Sequence, residues 1–194
     1  DLPIALGILA ATGQIDAEVV RRALVVGELS LGGGVRCSAG MLAYQRCAVG
    51  LGLDLIAGAP DKGFVRIEGL TCKFLEQLSH VREPRFVNAP VLSFGDIHPS
   101  GDYSEVLGHE MAKRALQVAA AGGRGVIMVG PPGSGKTMLA QRFSGILPSL
   151  SEEERLETAL IHSVVGEDVS PVLAGRRPFR GPHHSATAAG LIGG

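Results

Sequence analysis

The chain has 194 residues, 45% of them apolar, and a formal net charge of −1. That length suits one large or two small domains, and the balanced charge excludes a general electrostatic attraction to nucleic acid, so any such contact must be local. Cys37, Cys47 and Cys72 form no C-x-x-C pair, which predicts buried free thiols in a reducing cytoplasm. No apolar run reaches the ~18 residues that a membrane span needs, so we expect a cytoplasmic protein without a membrane partner.

The first 82 residues alternate helix-like and strand-like patterns, which is typical of an α/β domain. A run that is apolar on nearly every side predicts a buried helix over residues 2–11. Apolar residues at helical spacing predict helices over residues 39–49 and 71–81, and a further helix is predicted to begin at Asp16 and to carry Leu24. Short apolar runs predict strands over residues 24–31, 53–57 and 64–67, and three successive glycines predict a turn at 32–34. Residues 83–104 are irregular and rich in proline, which predicts a linker between domains 1–82 and 105–194; an ordered loop on the second domain is the alternative.

Eight residues of the second domain fit the phosphate-binding P-loop pattern G-x-x-x-x-G-K-[ST]: Gly130, Pro131, Pro132, Gly133, Ser134, Gly135, Lys136 and Thr137. An apolar run at 126–129 predicts a buried strand before the loop, and a helical pattern follows it. The glycines allow backbone N–H groups to approach phosphate oxygens, and the start of the helix attracts the anion. Lys136 can reach the β- and γ-phosphates, and the Thr137 hydroxyl can bind the Mg²⁺ between them. The sequence therefore predicts ATP or ADP with Mg²⁺ as the ligand.

The sequence predicts one helix before this loop and another after the helix that follows the loop. One covers residues 109–121, with a shared apolar face formed by Met111, Ala115, Leu116, Ala119 and Ala120, and ends at Gly122. The other follows Ser151 and Glu154, which have the spacing of a capping box, and runs to about residue 165.

A basic segment lies near the end of the chain. Arg176, Arg177 and Arg180 fall within five residues, beside Phe179, His183 and His184. Such a segment can contact phosphates of a nucleotide or of DNA, although a surface or inter-subunit loop held by prolines explains it equally well. Adjacent histidines without a nearby cysteine or spaced carboxylate do not favour a metal site, and the role of His183 and His184 stays open.

Short motifs in the first domain resemble the Lon-protease-like domain of ComM-type magnesium-chelatase-family proteins. They lie at residues 1–7, 27–31 and 33–36. By the resemblance, the serine and lysine of the Lon protease dyad correspond to Ile4 and Leu42. Isoleucine is not a nucleophile and leucine cannot act as a base, so we expect no peptidase activity.

The second domain also resembles that family, in which the P-loop is preceded by a motif like that at 108–116 and followed by one like that at 177–186. The resemblance implies an AAA+ ATPase that assembles as a hexameric ring and acts on DNA in branch migration. It also makes Val106 and Gly108 candidates for the adenine side of the nucleotide site; a helix N-terminus with a glycine cap is the alternative. The expected fold class is α/β, with a partial Lon-protease-like domain followed by a partial P-loop AAA+ domain that has a parallel sheet and flanking helices.

The acidic strand end that AAA+ hydrolysis requires, the Walker B element, is not evident. Glu167 and Asp168 are the nearby acidic pair, but the apolar run before them is short and interrupted by Gly166. We therefore expect a chain that is incomplete at both ends, contains no catalytic residue of its own and hydrolyses no ATP, as part of a full-length ATPase. A magnesium-chelatase-type ATPase subunit and a nucleotide-binding module without turnover are the alternatives.

Overall fold

The computed structural model of the chain describes residues 1–61, 64–82, 86–87, 101–183 and 185–193. The chain divides into two compact units: unit 1 contains Asp1–Gly95 and Glu154–Leu173, and unit 2 contains Asp96–Glu153 and Ala174–Gly194. Most of the predicted linker at 83–104 lies outside the described residues, so the domain boundaries of the sequence analysis stay a prediction.

Unit 1 combines helices with two small sheets. Its elements in chain order are α1 (Leu2–Ala11), α2 (Glu18–Arg21), β1 (Ala23–Val26), β2 (Glu28–Leu29), β3 (Val35–Arg36), α3 (Met41–Leu51), β4 (Asp54–Gly58), β5 (Cys72–Leu75) and a 3-10 turn (Leu78–Val81). Strands β2 and β3 form an antiparallel pair, and the other three strands form a parallel sheet in the order β1-β4-β5. This mixed arrangement confirms the predicted α/β class.

The central strand β4 is buried on both faces, as expected for a parallel sheet covered by helices. Because side chains alternate along a strand, Ile56 faces one core together with Leu2 and Leu6 of α1. Leu55 faces the opposite core, which contains Ala48 of α3. The two helices therefore cover opposite faces of the sheet.

Gly58, at the end of β4, allows β3 to cross close to the sheet. A Cβ atom built at Gly58 would lie 2.3 Å from the carbonyl carbon of Arg36 and 2.6 Å from the backbone nitrogen of Cys37. These neighbours are backbone atoms that cannot rotate away, so the packing requires glycine at this position.

The predicted helix over 71–81 is wrong. Residues Cys72–Leu75 form strand β5, which pairs with β4, and a 3-10 turn follows only at Leu78–Val81. Phe74 and Leu75 are adjacent in sequence and both buried, but they belong to the two opposite cores. Alternation on a strand places neighbours on opposite faces in this way, whereas neighbours on a helix are only about 100° apart.

The predicted strand over 64–67 is also wrong. The backbone of this segment is hydrogen-bonded to a side chain of α3 instead of to a strand. Gln45 of α3 is 1% exposed. Its Nε2 donates to the Val65 carbonyl at 2.7 Å, and its Oε1 accepts from the Ile67 N–H at 3.1 Å. These bonds satisfy backbone groups that a sheet would otherwise pair, and only Phe64 takes part in a bridge.

The first helices differ from the prediction in burial and length. Helix α1 has the predicted bounds, but Ile4 and Ile8 are 69% and 57% exposed, so only one face is buried. Helix α2 is a single turn, with the Asp16 carboxylate accepting from the Glu18 N–H, and Leu24 lies in β1.

The expectation of buried thiols holds only in part. Cys37 and Cys72 are half-buried, and burial raises the pKa of both thiols. Cys47 is exposed on α3, and all three cysteines are free.

Unit 2 is built from helices and turns among its described residues. It contains a 3-10 turn (Tyr103–Glu105), α4 (Glu110–Ala121), α5 (Lys136–Ile146) and α8 (Ala188–Ile192). Helix α6 (Glu152–Val164) begins directly after Ser151, as the capping-box pattern predicts; most of it is counted with unit 1, which also contains α7 (Ser170–Leu173).

The buried face of α4 is narrower than predicted. Leu116 and Ala120 are buried, and Ala112 packs against the same core, while Met111 is 86% exposed. At 3.6 residues per turn, Met111 lies about 140° around the helix from Leu116, so the two cannot share a narrow face.

The apolar run at 126–129 is not a strand, contrary to the prediction. Ile127 and Val129 are 91% and 93% exposed. A strand needs a hydrogen-bonded neighbour, and the described residues of unit 2 contain no other strand to supply one.

Candidate nucleotide-binding site

The P-loop residues adopt the glycine-dependent turns that the motif predicts. Gly133 and Gly135 have φ angles of +77° and +76°, a region that side chains with a Cβ atom rarely adopt. Helix α5 begins immediately afterwards at Lys136. The loop therefore leads directly into the N-terminus of an eleven-residue helix, where free backbone N–H groups favour an anion.

The Lys136 side chain binds the backbone of its own loop. Its ammonium group donates to the carbonyls of Gly130 and Pro131 at 2.8 and 2.7 Å, and to the Ser134 hydroxyl at 3.1 Å. An ammonium group has three donors, so these three bonds use its full capacity. These bonds close the loop around the lysine ammonium group, beside which a phosphate is expected to bind.

The neighbouring Thr137 has an exposed side chain in the first turn of α5. A hydroxyl at this position is free to turn toward a metal ion that accompanies the nucleotide, which suits the predicted Mg²⁺ contact. Pro131 and Pro132 are exposed at the loop's outer edge.

A small core beneath the loop holds α5 in place. It contains Tyr103, Val106, Leu116 and Leu139, each at most 4% exposed. The Tyr103 hydroxyl donates to the Leu139 carbonyl at 3.0 Å, and burial raises the pKa of this phenol. The segment before α4 is thereby attached to the helix that follows the P-loop.

The two adenine-side candidates lie in different environments. Val106 is 2% exposed within this core, and its carbonyl accepts from the Lys113 ammonium at 2.7 Å. Gly108 is exposed, with a φ of +70° and open space where a Cβ would be. Their contact with adenine stays a prediction.

Sequence reasoning missed His109, which lies beside the P-loop. It is the residue with a positive φ among the described non-glycine residues, at +60°. A Cβ atom built at Gly135 would lie 3.4 Å from its Nε2 atom, so the imidazole occupies space beside the loop backbone. No motif points to this contact, because it joins two segments 26 positions apart in the numbering.

The three arginines of the basic segment are not equivalent. The Arg177 Nε donates to the Pro148 carbonyl at 2.6 Å. The Nε atom of Arg176 is buried without a hydrogen-bond partner. Arg180 is exposed but has an interaction within the chain. The Nδ1 atom of His183 lies 2.7 Å from the Ser185 hydroxyl, and His184 lies outside the described residues.

The acidic pair of the sequence analysis does not end a strand. Glu167 and Asp168 follow α6 in a turn, where Glu167 Oε2 lies 3.0 Å from Nδ1 of His162 and Asp168 accepts from the Ser170 N–H. The described part of the chain contains no group of three or more His, Cys, Asp or Glu side chains that could hold a metal ion. None of its described helices is long and apolar enough to cross a bilayer.

The positions of the Lon dyad carry neither a nucleophile nor a base. Ile4 is exposed on α1. Leu42 is buried at the start of α3, where its N–H donates to the Ser163 hydroxyl at 3.2 Å. Both side chains therefore lack the chemistry of peptide hydrolysis.

Comparison with known proteins supports the identification of both halves. The model of "Magnesium chelatase, subunit ChlI" matches residues 102–194, and that of "Subunit ChlI of Mg-chelatase" matches residues 1–56. A Lon protease homologue of Methanothermobacter thermautotrophicus is 44% identical over 55 residues, which cover 28% of this chain and 11% of the homologue.

Longer relatives match the chain from end to end. The uncharacterized protein YifB of Salmonella typhimurium is 38% identical, and the competence protein ComM of Haemophilus influenzae is 36% identical, both over 205 aligned positions. Each alignment covers 100% of this chain and 40% of the relative, so the chain spans about two fifths of the length of these curated relatives. With the two family matches, this similarity shows that the chain belongs to the ComM-type magnesium-chelatase family.

Proposed function

We propose that this chain is the ATP-binding part of a ComM-type AAA+ motor. The observation that carries the proposal is the P-loop, in which Gly133 and Gly135 take left-handed conformations directly before Lys136 opens α5. This arrangement supports binding of a nucleotide through its phosphates, with backbone N–H groups and the helix N-terminus as the anion site.

Phosphate would replace the carbonyls that Lys136 now contacts. The lysine's acceptors are neutral oxygens, at 2.7 to 3.1 Å. A phosphate oxygen carries negative charge, so the ammonium gains a Coulomb attraction that neutral oxygens do not provide. Nucleotide would therefore exchange the internal bonds of the loop for stronger ones, while Thr137 would contribute its hydroxyl to Mg²⁺ and Val106 and Gly108 would lie toward the adenine.

The whole protein is proposed to assemble as a hexameric ring in the cytoplasm and to act on DNA in branch migration. This proposal rests on the similarity of the entire chain to a protein named competence protein ComM. The Lon-like match over 55 residues does not separate this proposal from a chelatase function, since the family model over residues 1–56 carries the name of the chelatase subunit. The basic segment that contains Arg176, Arg177 and Arg180 would contact phosphates of DNA or of a neighbouring subunit's nucleotide.

A chelatase-type ATPase that acts on a metal- and porphyrin-binding partner is the second candidate. It is kept because both family models that match the chain are described by the name of the chelatase subunit. An ATPase assay on the whole protein, with and without single-stranded DNA, separates the two candidates, because stimulation by DNA is expected of the DNA motor alone.

Calorimetry with ADP and Mg²⁺ tests the nucleotide site directly. Lys136→Ala removes the positive charge beside the phosphates and is expected to abolish most of the affinity. Arg114→Ala removes an equal charge from the exposed surface of α4 and serves as the control. Equal ADP affinity in the wild type and Lys136→Ala would contradict the proposed site.

A further inference from the structure

We propose that the segment 176–183 is a binding site for single-stranded DNA, in which Arg176 binds a backbone phosphate, Phe179 stacks on a base, and Arg177 only positions the segment. The proposal deepens the DNA-directed function above and rests on it. In this proposal the residues of the segment have separate roles and its arginines are not equivalent. Three observations support these separate roles.

The first observation is that Arg177 is already engaged. Its Nε donates to the Pro148 carbonyl at 2.6 Å, a contact that joins positions 29 residues apart. Pro148 follows the end of α5, so this bond attaches the basic segment to the helix of the P-loop. This bond fixes the direction of the Arg177 guanidinium and the place of the segment beside Pro148, which makes Arg177 a positioning residue.

The second observation is the unused guanidinium of Arg176. Within the described part of the chain, Arg176 forms no hydrogen bond or ion pair, and its Nε atom is buried without a partner. A guanidinium has five donors in a planar fork that fits phosphate oxygens. A buried donor without an acceptor destabilises the free protein, and an anion that reached the fork would relieve that cost. Arg176 is therefore the arginine that is ready for a phosphate.

The third observation is the exposed ring of Phe179. It is 48% exposed and lies between Pro178 and Arg180. Pro178 and Pro182 restrict the backbone on both sides, which lowers the entropy lost when a ligand orders the segment. An aromatic face held in solvent beside a cation is the combination on which bases of a single strand stack.

The exposed Phe179 ring also indicates which of the ligands that carry phosphates fits this segment. Duplex DNA offers phosphates but keeps its base faces stacked, and a neighbour's bound nucleotide would have its adenine held at that neighbour's own site. An unpaired strand offers both a phosphate for Arg176 and an unstacked base for Phe179.

Fluorescence anisotropy with a labelled oligothymidylate on the whole protein tests the proposal. Phe179→Ala is expected to weaken binding by roughly 5- to 100-fold, because a lost base stack has about that effect, while Phe179→Tyr retains the ring and the affinity. Arg176→Ala should weaken binding and reduce the slope of log K against log salt by about 0.7, as expected for one phosphate on a single strand.

The controls separate contact from position and from nucleotide binding. Arg177→Ala should lower the melting temperature, whereas Arg176→Ala and Phe179→Ala should leave it near that of the wild type. Both contact variants should bind ADP normally, which distinguishes failure of this site from failure of the P-loop proposal. Unchanged oligothymidylate affinity in Phe179→Ala, or an equal loss of affinity for duplex DNA, would overturn the stacking role. An unchanged salt slope in Arg176→Ala would overturn the phosphate contact.

Discussion

The two units stabilise themselves in different ways. In unit 1 the strand β4 is paired on both sides and buried on both faces, with Leu55 and Ile56 fully covered. In unit 2 the comparable apolar run at 126–129 is unpaired and its side chains are largely exposed. Both runs have the composition of a buried strand, so the difference lies in whether a neighbouring strand is available.

Unit 2 relies on bonds between side chains and backbone where unit 1 relies on a sheet. Tyr103 binds the Leu139 carbonyl, Lys113 binds the Val106 carbonyl and Arg177 binds the Pro148 carbonyl. The first two bonds join a turn or loop to a helix, and the third joins two loops. The candidate functional residues lie in this unit, on loops that such bonds position, which is where binding residues are commonly found.

The largest expected effect is in unit 1, at Gly58. Gly58→Ala would place a methyl group 2.3 Å from backbone atoms of Arg36, so either β3 or β4 must move, and we expect a loss of about 3 kcal/mol or more in the free energy of unfolding. Denaturant unfolding measures it. Gly7→Ala, in α1 with open space around the new methyl group, should instead stabilise by about 0.5–1 kcal/mol. Similar effects of the two substitutions would contradict the close crossing of β3 and β4.

A smaller loss is expected at Gln45. Gln45→Ala removes a buried side chain and leaves the Val65 carbonyl and the Ile67 N–H without partners, which should cost about 2–3 kcal/mol. Gln141→Ala, on the exposed surface of α5 in unit 2, is the control and should change stability by less than about 0.5 kcal/mol. If hydrogen exchange of the Ile67 amide is no faster in Gln45→Ala, the bonds do not hold this segment.

Removing one tyrosine hydroxyl from each unit compares how much the stability of the protein depends on the hydrogen bond of Tyr103 in unit 2. Tyr103→Phe keeps the ring but removes the bond to the Leu139 carbonyl, and we expect a loss of about 1 kcal/mol. Tyr44→Phe, on α3 of unit 1, removes a hydroxyl from a partly exposed ring and should have little effect. Thermal unfolding of both variants measures the difference. Equal melting temperatures would mean that the core beneath the P-loop does not depend on this bond.

The smallest expected effect is a change with pH in the free energy of unfolding, due to Asp102 in unit 2. Hydrogen bonds from Ser104, first from its side chain and then from its N–H, lower the pKa of the exposed Asp102 carboxyl below its usual value; the N–H lies 2.6 Å from Oδ1. Because the pKa is lower in the folded state, the stabilisation is present above the unfolded pKa and is lost as pH falls through the folded pKa. Asp102→Asn keeps an acceptor without a charge. Its free energy of unfolding, plotted against pH, should therefore meet that of the wild type only below about pH 4. Parallel curves at every pH would contradict this contribution.

The sequence by itself predicted the parts of the molecule that depend on local chemistry. The bounds of α1, the start of α6 after Ser151 and the glycine turns of the P-loop all agree with the structure. In each case the determining residues lie within a few positions of one another: an apolar helical run, a cap, or glycines that permit positive φ. The P-loop was the clearest case because one motif predicts both its backbone conformation and a phosphate-containing ligand.

Only the tertiary structure decided which segments became strands and which arginine was left without a partner. Residues 72–75 form a strand because β4 lies beside them, and residues 64–67 do not because Gln45, 20 positions from Val65, takes their backbone bonds. Arg176 and Arg177 are adjacent and identical in type, yet only Arg177 reaches the Pro148 carbonyl. The physical reason is the same throughout: a polar or apolar group is satisfied by whatever the fold brings to it, and those neighbours are distant in sequence.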